Sequence, residues 1–178
     1  MPGTITNAEI IQTIVNSTQE VFSMMLGLEV NAGEAFVGAS AGTESGVLAL
    51  LGFAGDWSGT GSLSCSAALA CRIASQMLMA EYEGVNDEVL DAVAEVANMI
   101  LGSVKTHLET TLGSMALSTP TAIYGRHFET RRVGSQEWVT VPFPCEGETI
   151  RVQLCLAPAR DRSAVFHPGF SLPHTMQI

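Results

Sequence analysis

The stretch DEVLDAVAEVANMILGSVKTHLE, Asp87 to Glu109, constrains this chain more than any other. At about 100° per residue, Glu88, Asp91, Glu95, Asn98, Gly102 and Lys105 fall within roughly one quadrant of a helix wheel. Val89, Val93, Val96, Ile100, Val104 and Leu108 take another face, and Leu90, Ala94, Ala97 and Leu101 widen it. A helix so nearly apolar all round must be buried on most of its circumference. The rest of the chain has to wrap it, leaving one polar strip open.

An acidic strip on an amphipathic helix is ordinarily a solvated face. Two features of this strip ask for more. Asn98 is a mediocre helix former, and a solvated face gives no reason to place it mid-helix. The strip also carries no basic residue before Lys105, so ion pairing one turn apart does not account for its carboxylates. Two carboxylates of this strip and the carboxamide of Asn98 are therefore the best candidates for chemistry.

The chain has 178 residues, enough for one domain with a sizeable core. Hydrophobic residues are 47% and charged ones 15%, the balance of a packed globular protein rather than a disordered one. Net charge is −10, with one lysine against seven arginines, which excludes phosphate-backbone binding to nucleic acid and attraction to an anionic membrane. An acidic protein of this kind suits a partner surface carrying Lys, Arg or a metal ion. No apolar run reaches the roughly 18 residues of a membrane span, and MPGTITNAEI lacks a signal-peptide pattern. A cytoplasmic protein is expected.

Cys65, Cys71, Cys145 and Cys155 are scattered, with no C-x-x-C, and read as buried thiols in a reducing compartment. His107, His127, His167 and His174 show no metal-ligand spacing, so no metal site is expected. Phosphate-loop, dinucleotide and nucleophile-elbow motifs are all missing.

Thr6-Asn7-Ala8-Glu9 has the form of a capping box, and apolar residues at three- and four-residue steps carry a helix from there to about Leu26, with Gly27 as its stop. Leu28 to Val37 reads as a strand. Gly46 to Ala54 and Trp57 to Cys65 read as a hairpin turning at Gly55-Asp56. A second helix, capped by Ser66 or Ser64, should run from Ala67 to about Glu81 and bury Leu69, Ile73, Met77 and Leu78. After Gly113 the pattern is β: Ser114 to Leu117, Thr121 to Tyr124, His127 to Val133, Glu137 to Pro142 and Thr149 to Leu156, with Gly134-Ser135 and Glu146-Gly147 as turns. The class is α+β: a single domain in which long helices pack on one face of an antiparallel or mixed sheet. Residues 159–178, with Pro168 and Pro173, carry no periodic core and are expected to lie loosely at the surface.

Asp91-x3-Glu95-x2-Asn98, with Pro120 downstream, resembles the signature of the CheC/CheX/FliY phosphatases of bacterial chemotaxis. The flanking words EVANMILGSVKTHLE and STPTAIYG agree with it. VFSMMLGLEV, GTGSLSCS and ASQMLMAEY resemble the CheX branch in order and spacing. The resemblance covers Thr6 to Pro158, which sets the domain at residues 1–158.

The resemblance implies hydrolysis of the aspartyl-phosphate of a CheY-like receiver domain. Glu95 would anchor on a lysine of the receiver, Asn98 would orient the attacking water, and Asp91 would help dock. The Mg2+ of the reaction would sit on the receiver, with no cofactor bound by this chain. One site is implied, because Glu9-x2-Gln12 in the first helix lacks the Asn. A homodimer sharing sheet elements is implied as well. The alternative is a receiver-binding or scaffold module of the same fold without catalysis.

Overall fold

Each helix starts where the chain supplies its own cap. The computed structural model describes residues 3–38, 43–129 and 137–159, the side chains of Thr43 and Glu44 excepted. Helix α1 (Asn7–Val21) opens with the capping box: Thr6 Oγ1 accepts from Glu9 N at 3.2 Å, and Glu9 Oε2 accepts from Thr6 N at 2.8 Å. It continues as a π-helical turn, Phe22–Leu26, until Gly27 takes the left-handed conformation. Ser66 Oγ caps α2 (Ala67–Leu78) at Leu69 N, and Asn86 Oδ1 caps α3 (Asp87–Leu112) at Val89 N.

Seven strands make the sheet: β1 (Phe36–Gly38), β2 (Thr43–Gly55), β3 (Trp57–Cys65), β4 (Met115–Leu117), β5 (Thr121–Glu129), β6 (Trp138–Cys145) and β7 (Glu148–Pro158). Their order is β1-β6-β7-β3-β2-β4, with β5 also on β2, and every pairing is antiparallel. β2 and β3 form the expected hairpin about Gly55-Asp56, their last cross-strand pair being Phe53 with Gly59. Glu146 and Gly147, both at positive φ, turn β6 into β7.

Four expectations need correction. Only Phe36–Gly38 of the stretch from Leu28 to Val37 joins the sheet. The Val30 carbonyl is taken by Gln19 Nε2 at 3.0 Å and Gly33 N donates to the Pro142 carbonyl at 2.7 Å, so scattered partners replace a ladder. Helix α2 stops at Leu78 rather than Glu81, because Met79 turns left-handed, and this leaves Leu78 exposed. Helix α3 runs a further turn, to Leu112. Thr121 to Glu129 is one strand, not two, with a bulge opposite Glu44–Gly46 and His127 at positive φ. The Gly134-Ser135 turn, the end of the strand expected to reach Val133, and residues 160–178 lie outside the described residues.

One face of the sheet carries the core. Ala49, Leu51 and Phe53 of β2, Leu63 of β3, Val152 and Leu154 of β7 and Val141 and Phe143 of β6 share an apolar cluster with all three helices. α3 packs tightly over Gly61 of β3: a Cβ there would sit 2.8 Å from both methyls of Leu101. On the opposite face, Leu50, Ser62, Gln153, Thr140 and Phe36 form a row across five strands. Gln153 Nε2 donates to Thr140 Oγ1 at 3.0 Å and Ser62 Oγ to Gln153 Oε1 at 3.3 Å, which satisfies polar groups that are themselves buried. The end of β3 is thus buried on both faces, and the alternation its sequence suggests does not appear in its burial.

Asp56 locks the exit of α3. Its backbone N–H donates to the Ser114 carbonyl at 3.0 Å, its Oδ2 accepts from Ser114 N at 2.9 Å, and its carbonyl accepts from Ala159 N at 2.9 Å. Gly113 (φ 91°) passes so near the Asp56 carboxylate that no side chain fits there. Glu109 ties the same corner. Its carboxylate accepts from Met115 N at 2.8 Å and from Lys105 Nζ at 3.0 Å, and these bonds, the backbone one foremost, hold its pKa below the ordinary value. A lowered folded pKa stabilises above the unfolded pKa and is lost as pH falls through the folded one. Denaturant unfolding of Glu109→Gln should therefore show a deficit at neutral pH that closes between about pH 5 and pH 3. A deficit unchanged over that range would contradict this origin.

Candidate functional site

The polar strip survives folding as the outward face of α3. Eleven of its residues, from Val89 to Leu112, are buried, and α1 and α2 both pack along it. Glu88, Asp91 and Glu95 are exposed, while Asn98, Gly102 and Lys105 are half-buried, and successive members stand one turn apart.

The ends of the strip are occupied internally and its middle is open. At the start, Glu88 Oε2 accepts from Tyr82 Oη at 2.8 Å, a bond that pushes the Tyr82 phenol above its ordinary pKa. At the far end Lys105, the chain's one lysine, turns forward to Glu109 rather than back toward the other carboxylates. Between them, Asp91, Glu95 and Asn98 have no hydrogen bond or ion pair to another described residue. These are the three residues singled out from sequence, and the structure brings them together on one open surface. His107 is exposed and bonded to the Ser103 carbonyl at 2.8 Å, away from any metal-like grouping. Pro120 lies half-buried in the β4–β5 link, where Ser118 clasps Gly52 through its N–H and its hydroxyl.

The arrangement offers two carboxylates to a cationic partner and a carboxamide, both donor and acceptor, one turn further on. Among the described residues no three His, Cys, Asp or Glu side chains gather as a metal site, all four cysteines are buried thiols, and no helix is long and apolar enough to cross a membrane.

Gly102, on the same strip, has no packing reason to be glycine. A glycine inside a helix costs about 1 kcal/mol relative to alanine. Here a Cβ would meet nothing within 4 Å, so the chain's own packing does not require it. Bare backbone is left on the strip one turn beyond Asn98. Gly102→Ala should raise stability by about 0.5–1 kcal/mol, read as a higher Tm. A fall in Tm would mean that the glycine serves the fold after all.

The profile of the family described as chemotaxis phosphatase CheX matches residues 47–144, which include the whole strip. The CheY-P phosphatase CheX of Thermotoga maritima is 24% identical over 129 residues, spanning 72% of this chain and 83% of that protein. Among solved structures, the chemotaxis protein CheX of Desulfovibrio desulfuricans is 27% identical with a TM-score of 0.76, over 84% of this chain and 99% of that one. CheX of Borrelia burgdorferi, crystallised with CheY, BeF3 and Mg2+, is 26% identical with a TM-score of 0.70, over 83% and 97%. With the matched profile spanning more than half of its residues and the same open α+β architecture around its central helix, the chain belongs to the chemotaxis phosphatase CheX family.

Proposed function

We propose that this phosphatase hydrolyses the aspartyl-phosphate of a CheY-like receiver domain, using the open middle of α3. The observation that carries the reading is the exposed pair Asp91 and Glu95, one turn apart, followed by half-buried Asn98. All three fall inside the family match. The relative crystallised with CheY, BeF3 and Mg2+ supports a receiver as the partner.

The chemistry suits these side chains. An acyl phosphate is already reactive, so hydrolysis gains most from placing water in line with phosphorus. As the water oxygen bonds to phosphorus, the bond to the aspartyl oxygen breaks, releasing inorganic phosphate and restoring the partner's carboxylate. Asn98 accepts a hydrogen bond from that water without adding negative charge beside the phosphoryl group. Glu95 pairs with a lysine of the receiver and sets the register, while Asp91 adds attraction on the approach. The Mg2+ belongs to the receiver, where it neutralises phosphoryl charge, and this chain contributes no ligand to it. The setting is the cytoplasm, where the phosphorylated partner resides.

The working unit is a homodimer. Thr43 to Gly46 of β2 pair only with β5, beyond the first β2–β3 pair at Val47 and Cys65, so a two-stranded extension leaves the body of the sheet. At the other side β1 is a short edge strand with Phe36 and Val37 51% and 37% exposed. Strand edges of this kind pair readily with a second copy. Sedimentation equilibrium should return twice the 18.8 kDa of the chain; a monomer at micromolar concentration would overturn the dimer.

Phosphate release from acetyl-phosphate-charged receiver domains, with Mg2+ present, tests the activity. Asn98→Ala should lower kcat by about a hundredfold or more while leaving receiver binding nearly intact. Glu95→Lys should instead raise KM by about tenfold or more through like-charge contact. Full turnover by Asn98→Ala would remove the water-positioning role. Binding without any acceleration by the wild type would favour a non-catalytic docking module.

A further inference from the structure

Gly102 is the one glycine inside a helix among the described residues. Mid-helix glycine is unfavourable relative to alanine, and two circumstances ordinarily call for it: a left-handed backbone or a crowded neighbour. Gly102 has neither. Its backbone is ordinary right-handed helix, and a Cβ there would meet nothing within 4 Å. The backbone is also held in place, because Thr106 Oγ1 donates to the Gly102 carbonyl at 3.0 Å. What the glycine supplies is therefore the missing side chain itself.

The helix geometry says where that side chain would lie. At about 100° and about 1.5 Å per residue, Gly102 points between Asn98 and Glu95, about 40° from the first and about 20° from the second. It sits about 6 Å beyond Asn98 along the axis. Side chains on a helix lean toward its N-terminus and cover the turn before their own. A side chain at position 102 would lie back over Asn98. Lys105, next along the strip, is drawn forward to Glu109 at 3.0 Å and leaves the same ground clear.

The proposed chemistry needs that ground. Asparagine is short, and Asn98 is half-buried on the flank of α3. A hydrogen bond useful in catalysis spans about 2.6–3.2 Å, so a partner carrying the phosphoryl group has to come down almost onto the helix backbone. An interface of ordinary size covers about 800 Å² on each side, a disc of about 16 Å radius. Centred on Asn98, such a disc takes in Gly102 in any orientation of the partner.

We propose that Gly102 is a positioning residue, whose missing side chain is the clearance that lets the receiver domain settle close enough for Asn98 to reach the attacking water. The role rests on the receiver reading and refines it: Glu95 pairs, Asn98 orients, and Gly102 keeps the approach to both open. A residue that weakens the helix is retained where activity requires it.

The test combines thermal unfolding with receiver assays on Gly102→Ala, Gly102→Gln and a control, His107→Gln. His107 is exposed and lies about 180° from Asn98 around the helix. Both Gly102 variants should melt at or above the wild-type Tm. With acetyl-phosphate-charged CheY-type receivers and Mg2+, kcat/KM should fall with bulk, about threefold for Ala and at least about tenfold for Gln. Kd for the beryllofluoride-charged receiver should weaken in the same order, and the control should keep both values within about twofold. Wild-type turnover by Gly102→Gln, in an assay where Asn98→Ala is inactive, overturns the clearance and spares the receiver reading. A loss of activity accompanied by a lower Tm also overturns it, since the glycine then serves the fold. So does a control as impaired as Gly102→Gln. A wild type that neither binds nor dephosphorylates a charged receiver sinks the receiver reading, and the clearance with it.

Discussion

Everything in this protein hangs on the seating of α3 against the sheet. Val93, Val96, Ile100, Leu101 and Val104 have no exposed surface, and each such side chain is worth about 1.5–3 kcal/mol on burial. At Gly61 the missing side chain is the space that Leu101 fills. A larger residue there would force Leu101 and Phe53 to repack beneath the strip. The site's precision is borrowed from the core beneath it, since Asp91, Glu95 and Asn98 have no bonded support of their own.

That lack of support is the site's chemical character. Elsewhere the chain ties its polar groups down: Glu9 to the Thr6 cap, Glu109 to Met115 and Lys105, Arg72 to Glu146, and Gln153 within a buried network. The middle of the strip is left free, and the lysine that might have quenched it is drawn away by Glu109. Exposed carboxylates without an internal cation remain available to an external one. A carboxamide at the edge of burial is steadier than one on a fully solvated surface. The water-positioning role proposed for Asn98 needs both, because a misplaced hydrogen bond to water contributes little.

Where the sequence could be read, a short-range physical signal lay behind the reading. Thr6 with Glu9 and the Gly55-Asp56 turn act within a few residues of themselves, and the structure has them as expected. The α3 strip follows from a period that no tertiary contact can alter. The errors came where backbone partners lie far off in sequence. Leu28 to Val37 has strand-like residues, but Gln19 and Pro142 take its backbone groups before a neighbour strand can. Leu78 sits on the apolar side of a helix wheel and is exposed because Met79 ends the helix a turn early. The alternation of β3 predicts one wet face, and the Ser62–Gln153–Thr140 network lies in a buried one.

The sequence by itself determined the three helices, the Thr6 capping box, the fold class and the spacing of the strip, because capping and hydrophobic periodicity are local and one-dimensional. The CheX family resemblance lay in the same local words. Only the tertiary structure decided which polar groups are free. That Glu88 accepts from Tyr82, that Lys105 turns forward to Glu109 rather than back along the strip and that Gly102 meets no neighbour are choices among several partners the spacing allowed, and the folded chain made them. A hydrogen-bond partner or an empty neighbouring volume is a relation in three dimensions, and no spacing along a chain encodes it alone.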